Sequence, residues 1–142
     1  MVTYLGIGTN LGDRTNNLTR AVALINAQVG VVLTCSSFIE TAPWGFTSNN
    51  HFLNAVLKVD TPFAPDELLR TTQSIEKQLG RDHKTVDGNY TDRVIDIDIL
   101  LYEDITMNTP ELTIPHPYIL QRDFVYIPLG EIAPEVLEAL RG

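Results

Sequence analysis

The fold is indicated first by the stretch Phe52-Leu53-Asn54-Ala55-Val56-Leu57-Lys58-Val59-Asp60, in which aliphatic residues occupy every second position. Alternate side chains of a β-strand share a face, so the stretch predicts a strand with an aliphatic face and a mixed face that carries Phe52 and Asn54. The earlier segment Val31–Glu40 is rich in β-branched residues and predicts another strand. Thr41–His51 joins the two and is predicted to be a loop, because it contains proline, glycine and a polar run.

Two amphipathic helices are predicted outside this pair of strands. The first follows a strand over Val2–Ile7 and ends at Gly30, and the second begins at Pro65 and ends at Gly80. Apolar residues recur at helical spacing, at Leu18, Ala21, Val22, Ile25 and Val29 in the first helix and at Leu68, Leu69, Thr72, Ile75 and Leu79 in the second. Val94–Tyr102 predicts a fourth strand. The order β-α-β-β-α-β predicts an α+β, ferredoxin-like core, which is a four-stranded antiparallel sheet with both helices on one face.

The remaining residues, from Glu103 onward, are interrupted repeatedly by proline and predict an irregular C-terminal extension with one brief helix over Asp123–Ile132. No linker, repeat or low-complexity tract divides the 142 residues. We therefore expect one domain spanning residues 1–142.

The composition excludes several classes of protein. A formal net charge of -8 argues against a nucleic-acid surface, which requires a basic patch. No apolar run approaches the roughly 20 residues that span a bilayer, and no signal peptide opens the chain. One cysteine, Cys35, excludes an internal disulfide and a cysteine-built zinc site. We expect a cytoplasmic protein that binds neither nucleic acid nor membrane.

Two acidic residues alternate with aliphatic ones in Val94-Ile95-Asp96-Ile97-Asp98-Ile99-Leu100-Leu101. Asp96 and Asp98 therefore share a face, about 6.6 Å apart at ~3.3 Å per residue, while the residues at 95, 97, 99 and 101 point into the core. Carboxylates at this spacing suit one or two Mg²⁺ ions that also take phosphate oxygens. A solvated strand face is the alternative. We favour the metal site, because acids among apolar neighbours cost desolvation energy unless something compensates them.

Two further segments indicate ligand binding less specifically. Arg81–Arg93 lacks periodicity and predicts a long loop whose cations suit a polyphosphate, although taken alone its aspartates favour a solvated loop. Phe52 and Asn54, near Thr41-Ala42-Pro43-Trp44-Gly45, offer aromatic rings and an amide for a flat heterocycle, although a core phenylalanine and a polar strand residue explain them equally well. Gly8-Thr9-Asn10-Leu11-Gly12 predicts a tight turn into a helix, since it lacks the spacing of phosphate-binding loops.

In their order along the chain, these motifs resemble the 6-hydroxymethyl-7,8-dihydropterin pyrophosphokinase family. The matching stretches cover nearly the whole chain and are residues 8–14, 36–45, 52–55, 73–81, 93–100, Pro115-His116-Pro117 and Arg122-Asp123-Phe124. The resemblance implies an ATP-dependent diphosphokinase of folate biosynthesis. Such an enzyme transfers diphosphate from Mg-ATP to the hydroxymethyl group of the dihydropterin and releases AMP.

The resemblance also implies roles for individual residues. Asp96 and Asp98 would bind two Mg²⁺ ions, and Arg81 and Arg93 would act beside them in catalysis. The residues implied to bind ATP are Gln73, Glu76, Arg81, His83, Lys84, Tyr90, Arg93, Ile99, Thr113, His116 and Arg122. The residues implied to bind the pterin are Thr41, Ala42, Trp44, Phe52, Asn54 and Phe124.

Two other functions remain open on the residues alone. A palm-type Mg²⁺-dependent nucleotidyl transferase also carries paired acids on a ferredoxin-like core, but it would release diphosphate rather than AMP. A non-catalytic ferredoxin-like ligand-binding domain would have little use for the two aspartates. The oligomeric state is expected to be a monomer or a weak homodimer.

Overall fold

The sheet is built on two neighbouring strands, β1 (Val2–Thr9) and β4 (Phe52–Asp60), which run antiparallel from Val2 opposite Asp60 to Thr9 opposite Leu53. The computed structural model describes residues 1–42, 51–80 and 94–142. Within these residues, β2 (Val31–Cys35) and β3 (Ile39–Thr41) pair with the outer edge of β4, and β5 (Asp96–Tyr102) pairs with the outer edge of β1. Every pairing is antiparallel, and the strand order is β2-β4-β1-β5 with β3 also on β4.

Over the described residues the sheet therefore has five strands rather than the four predicted, because the segment Val31–Glu40 forms β2 and β3 and not one strand. Two serines lie between them. The Ser36 hydroxyl accepts a 2.9 Å hydrogen bond from the N–H of Val56, and the N–H of Ser37 donates to the Glu131 carboxylate. At these residues a side-chain oxygen and a carboxylate replace ladder partners, and the strand is interrupted.

Helices α1 (Arg14–Gln28) and α2 (Pro65–Gln78) cover one face of the sheet, as predicted. The Asp13 carboxylate caps α1 by accepting a 3.1 Å hydrogen bond from the N–H of Asn16. Pro65 lies in the first turn of α2, where an N–H would have no helical partner. The first core forms between these helices and the sheet. Its fully buried side chains include Leu5, Leu18, Ile25, Leu57, Leu68, Ile75 and Ile95.

The C-terminal extension is not irregular, and this part of the prediction is wrong. It contains a small sheet of β6 (Met107–Asn108) and β7 (Thr113–Ile114), followed by α3 (Asp123–Ile132) and α4 (Pro134–Arg141). Of these elements the sequence indicated the brief helix alone. Proline does not break the segment as expected, because Pro134 lies in the first turn of α4. Helices α3 and α4 pack on the second face of the sheet with Tyr4, Val56, Leu100 and Leu101.

A bulge in β5 changes which face its side chains reach. Leu5 lies opposite Ile99 and Tyr4 lies opposite Leu101, so Leu100 is an extra residue on β5. Leu100 and Leu101 consequently both pack in the second core, and Tyr102 packs in the first. The prediction that Leu101 points the same way as Ile99 is therefore wrong.

Candidate active site

Three polar or glycine positions lie in one row across the second face of the sheet. Gly8 on β1 lies directly opposite Asp96 on β5 and opposite Asn54 on β4. Asp98 lies opposite Gly6, one step further along the same face. The isoleucines between and beside the aspartates belong to the first core, so the two carboxylates share the second face, as the alternation predicts.

The absence of a side chain at Gly8 makes room for Asn54 and Phe52. A Cβ atom at Gly8 would lie 2.8 Å from Oδ1 of Asn54 and 3.6 Å from a ring carbon of Phe52. The Nδ2 amide of Asn54 donates a 2.9 Å hydrogen bond to the hydroxyl of Thr41, which lies opposite Phe52 in the β3–β4 ladder. Three of the residues predicted to bind the pterin are therefore in one cluster. Ala42 follows directly after Thr41 and is exposed.

The outer edge of β5 is held at two points. The N–H of Ile97 donates a 2.8 Å hydrogen bond to the carboxylate of Glu76 on α2, and the carbonyl of Leu100 accepts one of 2.9 Å from the N–H of His116. Along an antiparallel strand, residues whose backbone groups bind the neighbouring strand alternate with residues whose backbone groups point away from it. Ile97 is of the second kind with respect to β1, because its N–H binds Glu76 of α2. Ile99, two residues on, therefore also directs its N–H and carbonyl away from β1.

His116, Arg122 and Asp96 lie close enough to affect one another electrostatically. Burial and the Arg122 guanidinium lower the pKa of His116 from 6.5 to about 4, against the opposing effect of Asp96. Nδ1 of His116 accepts a 3.2 Å hydrogen bond from the N–H of Tyr118, so the neutral imidazole carries its proton on Nε2. The imidazole of His116 thus provides a neutral N–H donor beside β5.

Arg122 is buried, and its guanidinium lies over two aromatic rings. The guanidinium carbon is 4.9 Å from the centroid of the Tyr118 ring and 5.7 Å from that of Phe124. Both distances are within the range of cation–π attraction. These contacts join Arg122 and Phe124 at the start of α3, and the Tyr118 ring also lies 5.9 Å from the ring of His116, so three residues implied by the resemblance are close together.

Other predicted site residues are less closely associated with this cluster. Gln73 is exposed on α2, and Thr113 lies in β7. Six predicted residues fall outside the described part of the chain, and they are Trp44, Arg81, His83, Lys84, Tyr90 and Arg93.

Sequence reasoning missed Asn17, which fixes the turn beside the site. Asn17 is buried, and its Nδ2 donates to the Thr9 hydroxyl at 3.1 Å and to the Leu11 carbonyl at 2.8 Å. Gly12 completes this turn with a φ of 70°. The signal was present in the spacing, because Asn17 precedes Ala21 by four residues and so lies on the buried stripe of α1.

The carboxylates of Asp96 and Asp98 are oxygen ligands of the kind that suits a hard cation. Among the described residues, no group of three or more His, Cys, Asp or Glu side chains is arranged to hold a metal. Mg²⁺, however, is commonly bound by one or two carboxylates, with phosphate oxygens and water completing its octahedron. Asp96 and Asp98, on one face and opposite two glycines, provide that kind of partial set.

Comparison with known proteins defines the family. The family model described as 7,8-dihydro-6-hydroxymethylpterin-pyrophosphokinase (HPPK) matches residues 4–134. The 2-amino-4-hydroxy-6-hydroxymethyldihydropteridine pyrophosphokinase of Porphyromonas gingivalis is 48% identical over 94% of this chain and 91% of its own length. The Bacillus subtilis enzyme of that name is 40% identical over 95% of this chain and 80% of its own.

Solved structures show the same fold. The wild-type Plasmodium falciparum HPPK-DHPS with pteroate is similar to 91% of this chain with a TM-score of 0.70 and 16% sequence identity. The chain spans 38% of that longer protein.

No described helix is long and apolar enough to cross a membrane.

The sequence matches define an ATP-dependent diphosphokinase, which is a transferase. More particularly, the chain belongs to the HPPK family and transfers diphosphate to hydroxymethyldihydropterin in folate biosynthesis. The predicted family, enzyme class and reaction are confirmed. The palm-type transferase and the non-catalytic binding domain are set aside.

Proposed function

We propose that the row formed by Asp96, Gly8 and Asn54 brings the two substrates of this reaction together. Asp96 and Asn54 are separated by two inter-strand spacings, about 9.6 Å between Cα atoms. This separation supports a site for metal and phosphate on one side of Gly8 and a site for the pterin on the other. The register across the three strands is the observation that carries the proposal.

The pterin half of the site comprises Thr41, Phe52 and Asn54, with Phe124 from α3. The Asn54 amide uses one N–H on Thr41, so its other N–H and its carbonyl are suited to the hydrogen-bonding edge of a pterin. Phe52 and Phe124 supply apolar rings for its faces. Ala42 and Trp44 are assigned to the same half through the family resemblance.

The nucleotide half lies along the outer edge of β5. The outward N–H and carbonyl of Ile99 form a donor–acceptor pair suited to the adenine edge. His116 offers a neutral N–H and Arg122 a permanent positive charge, both suited to phosphate oxygens. Gln73 and Thr113 are assigned to ATP by resemblance, as are His83, Lys84 and Tyr90 outside the described residues.

Asp96 and Asp98 would hold two Mg²⁺ ions, with Arg81 and Arg93 assigned beside them by resemblance. When bound, Mg²⁺ neutralises phosphate charge and aligns the diphosphate with the attacking hydroxyl. The protein's own contribution is to position the two substrates and to fix its charged groups before the reaction.

Three broader assignments belong to the same proposal. The core is ferredoxin-like, supported by the order β2-β4-β1-β5 and by two helices on one face. The chain acts as one domain, supported by a family match over residues 4–134. It works in the cytoplasm as a monomer or weak homodimer, an assignment carried over from the composition and the family.

Replacing each aspartate by asparagine tests the proposal, because it removes the charge and preserves the size. With Mg-ATP and 6-hydroxymethyl-7,8-dihydropterin, we expect Asp96→Asn and Asp98→Asn to lower pterin-dependent AMP formation by about 100-fold or more. The melting temperature should be preserved. Asp104→Asn, in an exposed turn, is the matched control and should keep the wild-type rate. Near-normal rates in both aspartate variants would refute the metal assignment.

A further inference from the structure

Glu76 is a buried acid whose carboxylate is hydrogen-bonded to the backbone of β5, the strand that carries Asp96 and Asp98. Glu76 is 9% exposed, and Oε2 accepts a 2.8 Å hydrogen bond from the N–H of Ile97. Burying a carboxylate is costly unless hydrogen bonds compensate it, and a bond from an N–H to a charged oxygen is among the stronger ones. The contact is therefore a specific link between α2 and β5.

The link falls between the two aspartates. Ile97 separates Asp96 from Asp98, and β5 is the last strand of the described sheet, so its outer edge has no neighbouring strand. An edge strand presents N–H and C=O groups along its outer side that no neighbouring strand pairs. Glu76 occupies the place of a partner strand at Ile97, and the N–H of His116 does so at the carbonyl of Leu100. Asp98 lies between these two points.

Helix α2 is itself held firmly. Thr72 and Ile75 flank Glu76 in the helix, Leu79 directly follows its last residue, and all three are buried, with Ile75 and Leu79 in the first core. The carboxylate is consequently fixed relative to the sheet, and it transmits that position to Ile97.

We propose that Glu76 is a positioning residue for metal binding: by holding the Ile97 amide, it keeps the carboxylates of Asp96 and Asp98 at the separation that Mg²⁺ requires. This differs from the direct ATP contact that the family resemblance implies for Glu76. The inference rests on the proposed function in one respect, namely that the two aspartates are the metal ligands.

Two conservative substitutions separate a positional role from a contact that depends on charge. Glu76→Gln keeps an acceptor oxygen at full reach and removes the charge. Glu76→Asp keeps the charge but shortens the side chain by one methylene, which withdraws the oxygen from Ile97. A positional role predicts that the Gln variant keeps most of the Ile97 hydrogen bond and of the metal affinity and that the Asp variant is the more impaired, whereas a contact that depends on charge predicts that the Gln variant is the more impaired.

Two measurements on the full chain are needed. The first is the hydrogen-exchange rate of the Ile97 amide by NMR, without metal or nucleotide. The second is Mn²⁺ affinity in the presence of ATP and the absence of pterin, followed by electron paramagnetic resonance. We expect Glu76→Asp to accelerate Ile97 exchange and weaken Mn²⁺ binding, each about tenfold. We expect Glu76→Gln to stay within about threefold of wild type in both.

Glu103 offers a matched control. Its carboxylate accepts a 2.7 Å hydrogen bond from the N–H of Val2, the same kind of bond at the start of β1. Glu103→Asp should accelerate exchange at Val2 and leave Mn²⁺ affinity unchanged, which shows that loss of such a bond elsewhere does not disturb the metal site.

The proposal is overturned if Glu76→Asp accelerates Ile97 exchange with no loss of Mn²⁺ affinity, or if Glu76→Gln loses affinity while Ile97 stays protected. Failure of the underlying function is recognised separately. In that case Asp96→Asn and Asp98→Asn would bind Mn²⁺ as tightly as wild type.

Discussion

Asn54 and Thr41 form one recognition unit across two strands, because the Asn54 amide donates a 2.9 Å hydrogen bond to the Thr41 hydroxyl. Asn54 is 4% exposed, and its carbonyl oxygen faces Gly8 on the neighbouring strand. The orientation of the amide is thus set by a hydrogen bond on one side and by the absence of a side chain on the other. Each constraint can be removed separately.

Removing the hydroxyl tests the first constraint. Thr41→Val keeps the β-branched shape and eliminates the acceptor for Asn54, so the amide loses a bond worth about 1 kcal/mol and its fixed orientation. We expect pterin affinity, measured by isothermal titration calorimetry, to fall about tenfold. Thr34→Val, on the exposed strand β2, is the control and should bind the pterin normally. Unchanged affinity in Thr41→Val would show that the amide is oriented by other contacts.

Filling the space at Gly8 tests the second constraint. The Cβ atom of Gly8→Ala would lie 2.8 Å from Oδ1 of Asn54, a separation that forces the amide to move. We expect at least a tenfold rise in the KM for pterin with a smaller change in the KM for ATP. Gly6→Ala is a matched control on the same face of β1, since its Cβ meets Leu100 at an ordinary 3.5 Å. Equal effects of the two substitutions would contradict the interpretation.

Much of this arrangement follows from local patterns in the sequence. Alternation in β4 and the first half of β5 gave the correct faces for Asn54, Asp96 and Asp98, because burial of one face enforces a period of two residues. The limits of α2 were indicated by Pro65 and Gly80, which act through backbone geometry alone.

The rest depended on contacts between distant parts of the chain. The hydrogen bond from Ile97 to Glu76 joins residues 21 positions apart, and neither residue type indicates it in the sequence. The bulge at Leu100 contains no glycine or proline to mark it. Helix α4 was obscured because a proline in a first helical turn and a proline in a loop look alike in one sequence.

The lowered pKa of His116 predicts a specific dependence of stability on pH. The folded protein has a His116 pKa of about 4, and an unfolded histidine titrates near 6.5. The unfolded state therefore binds more protons between these values, and the free energy of unfolding should fall as the pH drops from about 6.5 to about 4. Urea denaturation at several pH values should show this slope, and His116→Gln should reduce it.

An NMR titration of the imidazole provides the direct check. We expect the His116 ring to titrate well below 6, and a midpoint near 6.5 would contradict the burial and the effect of Arg122. His51→Gln, which removes an exposed histidine, controls for the loss of an imidazole as such.

The contact between Glu131 and Ser37 predicts a contribution to stability away from the row of site residues. The Glu131 carboxylate on α3 accepts hydrogen bonds from the N–H of Ser37 at 3.0 and 3.1 Å and from its hydroxyl at 2.7 Å. Because these groups are exposed, we expect Glu131→Ala to lower the free energy of unfolding by only about 1 kcal/mol, and Tm by about 3 °C.

Differential scanning calorimetry is the suitable measurement for this variant. Glu138→Ala, on the exposed side of α4, is the control and should change Tm by less than about 1 °C. A Glu131→Ala protein as stable as wild type would show that α3 is held against the β2–β3 connection by apolar packing alone.

The bulge at Leu100 bears on how this strand can vary among relatives. Before it, Asp96 and Asp98 share a face with the second core; after it, Tyr102 enters the first core, where its hydroxyl donates to the carbonyl of Phe63. Deleting one residue here would remove the bulge, and side chains would then alternate without interruption along β5. Either the aspartates or Tyr102 would consequently point to the wrong face of the sheet. Related chains are therefore free to exchange side chains of similar size in β5, but an insertion or deletion within it should be rejected.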